Sequence, residues 1–446
     1  MTHRVRTFTI LGPLLCVAGA ALAQVGRTEI TRWPQGKKAA VSLTYDDGTL
    51  NQFRVAVPIM DRFGFPATFF IITGEIAGSR YHGTFVGRPP ETIVQETASV
   101  PTSAANFFER ASAVGFLGYR GTLEFHTRAG EVFDEGGDPE KAWRILDEAY
   151  ARVREGAFPR EGGDEGSKPS PPATGWDDLA ALARRGYEFA SHTVTHPRLA
   201  VLDEANLVYE LEKSRQDILD HLGGKHTFSV ECPYGTENDR VLEYALARYP
   251  LARNRMPDPF VEDLDRSNDK SPSASTTEYV RWQRGPLTRT PMSLMKSWVD
   301  TIAADDNVWL VLVFHGVDGI GWEPRTSADL TEYFAYLKSK EDALWIATFQ
   351  DVGKYMRERT HGTVRSYVSH DVISVVLRDD LTDERYELPL TLETQVPPGW
   401  KAVDVRQGRR AQRVPVVRGD GGSYVLYPAI PNGEDVRLVR AAAPSR

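Results

Sequence analysis

Two adjacent carboxylates, Asp46 and Asp47, end an apolar run that begins near Ala39, and Gly48 follows them. The run Val41-Ser-Leu-Thr-Tyr45 reads as a buried strand, and the glycine lets the backbone turn at once. Side chains alternate along a strand, so both carboxyls enter one cleft only if the chain is already turning at its end. Far downstream, Ser191-His-Thr-Val-Thr-His-Pro197 follows a second short apolar run and sets His192 and His196 four residues apart. That spacing stacks two imidazoles if the segment forms one helical turn. Two imidazoles and one carboxylate make a three-ligand set for a divalent metal, with a position left for water or substrate. A second carboxylate beside the set can take a proton from that water. Each piece alone also fits a plain turn, an Asx turn at Asp46-Asp47-Gly48 or a surface turn ending at Pro197. Both together point to a hydrolytic metal site.

The elements that must position these residues alternate in type. Strands are expected at 39–45, 67–72, 187–191, 227–231, 309–315 and 344–348, with helices between them, such as 176–185 and 204–222. Leu207, Leu211, Ile218 and Leu222 give the latter an apolar stripe. Such alternation implies a parallel sheet covered on both faces. In closed α/β barrels the chemistry gathers at the C-terminal strand ends, where Asp46, Asp47, His192, Cys232, Pro233 and His315 all fall. An insertion from about 75 to 174 breaks the rhythm. It holds a helical run at 139–153 and ends in a Gly- and Pro-rich stretch, 160–172, expected to be a loop. His82, Tyr119, Phe125 and His126 within it are candidates for substrate contact or for a small local core. Beyond residue 361, short β-rich runs at 364–368, 372–377, 386–392, 400–405, 413–417 and 422–427 are separated by turn residues and predict an antiparallel β-sandwich. Trp400, Tyr424 and Tyr427 are its candidate glycan contacts, against the plainer reading of a packing domain.

Three ordered motifs carry a resemblance to the polysaccharide deacetylases, the NodB-homology or carbohydrate esterase family 4 domain. Thr44-Tyr-Asp-Asp-Gly48 is similar to the family's T-[FY]-D-D-G, His192-Thr-Val-Thr-His196 to H-[ST]-x-x-H, and Leu312-Val-Phe-His315 to the late L-x-x-H. Ala67-Thr-Phe-Phe-Ile71 looks like the family's second barrel strand. The resemblance spans roughly residues 38–359 apart from the insertion. It implies a distorted (β/α) barrel with fewer than eight complete repeats, and a divalent ion on Asp47, His192 and His196. Zinc is the family's usual metal, and cobalt or nickel suits the same donors. It further implies Asp46 as general base, His315 as general acid, and the backbone N–H of Tyr234 as part of an oxyanion hole. The substrate class implied is an acetylated glycan. Three readings follow: an N-deacetylase, an O-acetyl esterase on acetylated xylan or a similar glycan, or a catalytically silent glycan-binding relative.

Two departures stand out. The third motif reads Glu231-Cys-Pro-Tyr-Gly235, an acid where the family has the arginine that pairs with the catalytic Asp. A second negative charge there would raise the Asp46 pKa, so either another cation substitutes, with Arg253, Arg255 and Arg284 as candidates, or the base is tuned differently, or Glu231 points elsewhere. For the family's fourth motif, an Asp and Trp pair that orients the acid histidine, Asp258 and Trp282 are the candidates.

Residues 1–23 have a basic start, an apolar core and Ala21-Leu-Ala23, the pattern of a secretory signal peptide and not of a membrane span. The expected domains are therefore a leader at 1–23, a deacetylase-like domain at 24–361 and a sandwich at 362–446, in a protein exported to the periplasm or the medium. Cys232 is then the mature chain's one thiol, so stability rests on core burial and not on disulfides. With 446 residues and a net charge of −8, the chain has room for two domains and argues against nucleic acid as a partner.

Overall fold

A computed structural model describes residues 25–160, 174–256, 258–419 and 421–442, and the expected leader and most of the 160–172 stretch lie outside them. The chain divides into two compact units, one of residues 31–362 with 379–390, the other of the remaining segments. Strand β1 (Thr28–Ile30) belongs to the second unit.

The first unit is built on nine strands: β2 (Ala39–Asp47), β3 (Thr68–Ile71), β4 (Glu188–Ser191), β5 (Ser229–Val230), β6 (Leu251–Ala252), β7 (Val261–Leu264), β8 (Tyr279–Arg284), β9 (Val308–Phe314) and β10 (Leu344–Ile346). They pair in the order β6-β5-β4-β3-β2-β9-β8-β7, with β10 beside the start of β2, and the pairings are parallel. Among the described residues no ladder joins β6 to β7, so the barrel is open there. The sheet nonetheless curls, because Arg281 on β8 donates to the Ala252 carbonyl on β6 (3.2 Å) and Gln283 to that of Arg253 (3.3 Å).

Strand β2 is buried on both faces, as its unbroken apolar run requires. Val41, Leu43 and Tyr45 pack outward against the helices, while Ala40 packs inward with Phe70, Ala190, Trp309, Val311 and Val313. Ser42 and Thr44 share the inward face, where they meet the Trp309 indole and Arg253. Asp46 is next in that alternation, which carries its carboxyl into the barrel mouth.

Among its described residues the insertion forms the α-helices Pro90–Glu96, Phe107–Ala113, Leu123–Asp134 and Pro139–Arg154, around a core that includes Phe107, Phe125, Leu146 and Tyr150. Phe125 and His126 are buried and Tyr119 packs against the same core, so these three are structural and not substrate contacts. His82 remains exposed, its Nδ1 3.2 Å from the Gly74 carbonyl.

The second unit adds β11 (Thr363–Ser369), β12 (Val372–Arg378), β13 (Leu390–Gln395), β14 (Ala402–Gln407), β15 (Arg410–Pro415), β16 (Val417–Gly419), β17 (Gly422–Ala429) and β18 (Val436–Arg440). Two antiparallel sheets form, β1-β13-β17-β16 and β11-β12-β18-β14-β15, a sandwich-like domain. The strand expected at 386–392 starts only at Leu390. Tyr386 instead packs on Phe228 and Leu388 donates to Glu358, both within the first unit. Trp400 and Tyr427 are buried, the Tyr427 hydroxyl lying 2.7 Å from that of Thr394, so these two are core residues and not a glycan platform.

Candidate active site

At the end of β2 the backbone of Asp47 takes φ 76° and that of Gly48 φ 74°. Asp is among the few side chains that tolerate this left-handed region, and the turn brings Asp47 into the same cleft as Asp46. The two carboxyls then meet opposite surroundings. Arg253, one residue beyond β6, donates to both Asp46 oxygens (2.5 and 2.7 Å) and to Thr44 Oγ1 (3.2 Å). Burial by itself would raise the Asp46 carboxyl, but the guanidinium outweighs it and holds that carboxyl well below the usual range. Arg253 is thus the substitute cation. Arg255 pairs with Asp239 at the surface, and Arg284 braces the 265–268 loop through the carbonyls of Asp265 and Asn268.

Glu231 also reaches Arg253, at 2.8 Å, and accepts from Asn254 Nδ2 at 2.8 Å. Burial raises its carboxyl to about 8, with Arg253 opposing and Asp46 adding to the shift. Its contacts with Arg253 and Asn254 are what accommodate a second carboxyl beside Asp46.

The His192–His196 segment is a loop and not a helical turn, with Thr193 at φ 67° and His196 at φ 60°. Glu210, on the helix Glu204–Leu222, accepts from the backbone N–H groups of Val194 (2.8 Å) and Thr195 (2.9 Å) and from the Thr195 hydroxyl (2.7 Å). These bonds replace the ladder that a helix would supply. His192 Nδ1 donates to the Glu231 carbonyl (3.0 Å), which leaves the Nε2 lone pair facing Asp47. The Nε2 atoms of His192 and His196 lie 3.8 and 3.7 Å from Asp47 Oδ1. Burial lowers both imidazoles, His192 to about 3, so both are neutral donors. The Asp47 carboxyl accepts no hydrogen bond among the described residues, and burial, then the charges of Asp46 and Glu75, push it up to about 7. Metal–ligand bonds of about 2.0–2.2 Å in tetrahedral geometry bring ligand atoms to within about 3.3–3.6 Å of one another, so this donor set fits a divalent ion.

On the other side, His315 Nε2 lies 3.4 Å from Asp46 Oδ2, and its Nδ1 is buried with no hydrogen-bond partner among the described residues. Asp258 pairs with Arg357 and Trp282 lies under Arg284, so neither serves His315. Trp322 stands edge-on to the His315 ring at 4.5 Å, a wall that the sequence did not reveal. Gln52 is also new: it donates to the carbonyls of Asp46 (2.5 Å) and His315 (2.9 Å) and ties the two strand ends together. It sits in a π-helical turn, Gln52–Ala56, just past the Asp-Asp-Gly turn, a position that only its nearness to the motif could have flagged.

Tyr234 has φ 64°, and its exposed ring lies 4.7 Å from that of His196. The Arg198 guanidinium covers the ring at 4.3 Å and pairs with Glu135 from the insertion at 2.6 Å. These groups, with Arg266 and Gly235, line a cleft of about 420 Å³. Cys232 beside it is buried and its thiol is raised by burial, which makes it inert packing.

The model of the polysaccharide deacetylase family matches residues 34–101 and 149–249, on either side of the middle of the insertion. The match covers less than half of the chain and supports the resemblance that the three motifs carry, to the NodB-homology group of carbohydrate esterase family 4. A gellan lyase of Bacillus sp. is 28% identical over 277 residues; the match covers 59% of this chain and 11% of that relative's length. Among solved structures, the Xyl-CE4 domain of a multidomain xylanase from the hindgut metagenome of Trinervitermes trinervoides is similar at 12% identity and TM-score 0.32, over 71% of this chain and 89% of that one. A peptidoglycan deacetylase of Bacillus subtilis is similar at 14% identity and TM-score 0.31, over 73% and 94%.

Proposed function

We propose that the cleft removes acetyl groups from an N-acetylated glycan with the help of one divalent metal ion. The observation that carries this reading is the position of Asp46, held ionised by Arg253 between the Asp47, His192 and His196 donors and the His315 imidazole. An ion on those three donors, zinc by their chemistry, would polarise the acetyl carbonyl and lower the pKa of a water. Asp46 takes the proton from that water as it attacks the acetyl carbon. The Tyr234 backbone N–H holds the oxyanion as it develops. His315 Nε2 delivers a proton to the leaving nitrogen, without which an amide C–N bond does not break, and acetate and a free amine result. Trp322 and Tyr234 wall the cleft on either side. A chain that keeps both base and acid has the parts for turnover, which argues against a silent binding role. The leader-like residues 1–23 support action outside the cytoplasm on an extracellular or periplasmic glycan.

The test is acetate release from N-acetylated and O-acetylated glycans by metal-loaded protein, beside Asp46→Asn and His192→Ala. Release from the N-acetylated set, reduced about 10³-fold or more in both variants, is expected. Release from O-acetylated glycans alone would move the reading to an esterase. Undiminished release by His192→Ala would overturn the metal site.

A further inference from the structure

We propose that Arg266 makes this cleft selective for acetylated glycans that carry a carboxylate, as a uronic acid does, close to the acetylated sugar. The inference rests on the deacetylase reading and names its substrate class. The other charges that line the cleft are answered within the protein. Asp46 and Glu231 share Arg253, Arg198 pairs with Glu135, and Asp47 belongs to the metal donors. Arg266 also lines the cleft, yet among the described residues it forms no ion pair and no hydrogen bond. The residue is exposed and lines the cleft, so N–H donors of its guanidinium are open to a bound substrate.

The placement is built. A Cβ added to Gly285 would lie 3.5 Å from Arg266 Cδ, and one added to Gly235 would lie 3.7 Å from its Nη2. The stem therefore runs along one glycine, and the head rests over the other, next to Tyr234. The loop beneath is held at both ends: Arg284 donates to the carbonyls of Asp265 (3.0 Å) and Asn268 (2.9 Å), and the Ser267 N–H and hydroxyl donate to the Asp265 carboxylate (2.9 and 2.7 Å). A surface arginine kept only for solubility has no need of a clamped loop. A planar fork fixed at the mouth of a cleft matches a carboxylate in bidentate fashion. Trp322, 55% exposed beside His315, offers a ring against which the sugar can lie.

The experiment uses an acetylated oligosaccharide that contains a uronic acid, and the same material after its carboxyl is reduced to an alcohol. Binding is read by calorimetry and acetate release by kinetics, with metal-loaded full-length protein, R266Q and R266K, and Arg255→Gln as a surface control. Wild type is expected to favour the acidic form by about 10- to 100-fold, mainly in KM and Kd, less so in high salt. R266Q should collapse that ratio, R266K should keep part of it, and Arg255→Gln should leave it unchanged. Equal handling of the two forms by wild type, or a ratio untouched by R266Q, overturns the proposal, and acetate release from both forms would leave the deacetylase reading standing. If no acetate is released from either form, that reading fails, and the calorimetric ratio alone still decides for or against Arg266.

Discussion

Arg253 and Glu231 hold neighbouring places at the ends of two paired strands. Val230 on β5 is in register with Ala252 on β6, so the residues that follow, Glu231 and Arg253, face the same cleft one strand apart. The arginine that the family carries in its third motif is here moved one strand over, at the same height, and still grips Asp46. Arg253→Gln should therefore cost more than Asp46→Asn. It leaves a buried carboxylate unpaired, at about 3–5 kcal/mol, whereas Asp46→Asn leaves Arg253 bonded to Glu231. Denaturant unfolding of the two variants measures the difference, and equal losses would mean that Glu231 does not compensate. The sequence made Asp46, Asp47, His192, His196 and His315 legible because each lies in a short motif at a strand end. Gln52, Arg198, Trp322 and Arg266 lie in no such motif. Gln52 and Arg198 had only their nearness to a motif to flag them, and Trp322 and Arg266 are brought to the cleft by the fold alone.

At the scale of elements, the loop that carries the candidate metal donors His192 and His196 depends on a helix it does not belong to. The four-residue spacing of His192 and His196 suggested a helical turn, but Glu210 captures the N–H groups of Val194 and Thr195, and the loop bends through two left-handed residues instead. Glu210→Ala frees that loop while leaving all three donors in place. Metal affinity should fall about 10- to 100-fold in competition with a chelator, with the fold retained. Unchanged affinity would mean that the His192 bond to Glu231 suffices. The insertion is fastened to the same loop by His126, whose Nδ1 donates to the Ala111 carbonyl and whose Nε2 accepts the Arg198 N–H at 3.1 Å. His126→Ala strands that buried N–H, at about 1–3 kcal/mol, and loosens the Arg198 lid over Tyr234. A fall of about tenfold in kcat/KM at unchanged metal content is expected, and an unchanged kcat/KM would separate the insertion from catalysis. From sequence the insertion was visible as a break in the strand–helix rhythm. Its helix at 139–153 and a small local core were also readable there, whereas the helices Pro90–Glu96, Phe107–Ala113 and Leu123–Asp134 were not.

For the whole molecule, a parallel sheet was legible because strands buried on both faces read as continuous apolar runs, and the family resemblance of the three motifs implied its closure toward a barrel. The strands β6, β7 and β8 were missed: β6 is only two residues long, and β7 and β8 carry Glu, Asp, Arg and Gln that break the apolar run and resemble loop. A buried carboxyl makes stability depend on pH. Glu188, at the start of β4, is buried and accepts from the Thr68 hydroxyl (2.7 Å) and the Gln350 N–H (3.0 Å), linking two strands to the helix Phe349–His361. Burial pushes its carboxyl up to about 7 from an ordinary 4.5, against the pull of those two bonds. Between these values the folded protein keeps a proton that the unfolded chain releases, so this stabilisation is present at low pH and is lost as pH rises through the folded pKa. Glu188→Gln cannot lose the proton. Its unfolding free energy relative to wild type should climb by about 3 kcal/mol between pH 4.5 and 7.5 and then level off. Urea unfolding at pH 5, 6, 7 and 8 reads this directly. Parallel curves would mean that the Lys354 ammonium, close enough to feel the Glu188 charge, lets the carboxylate ionise in place.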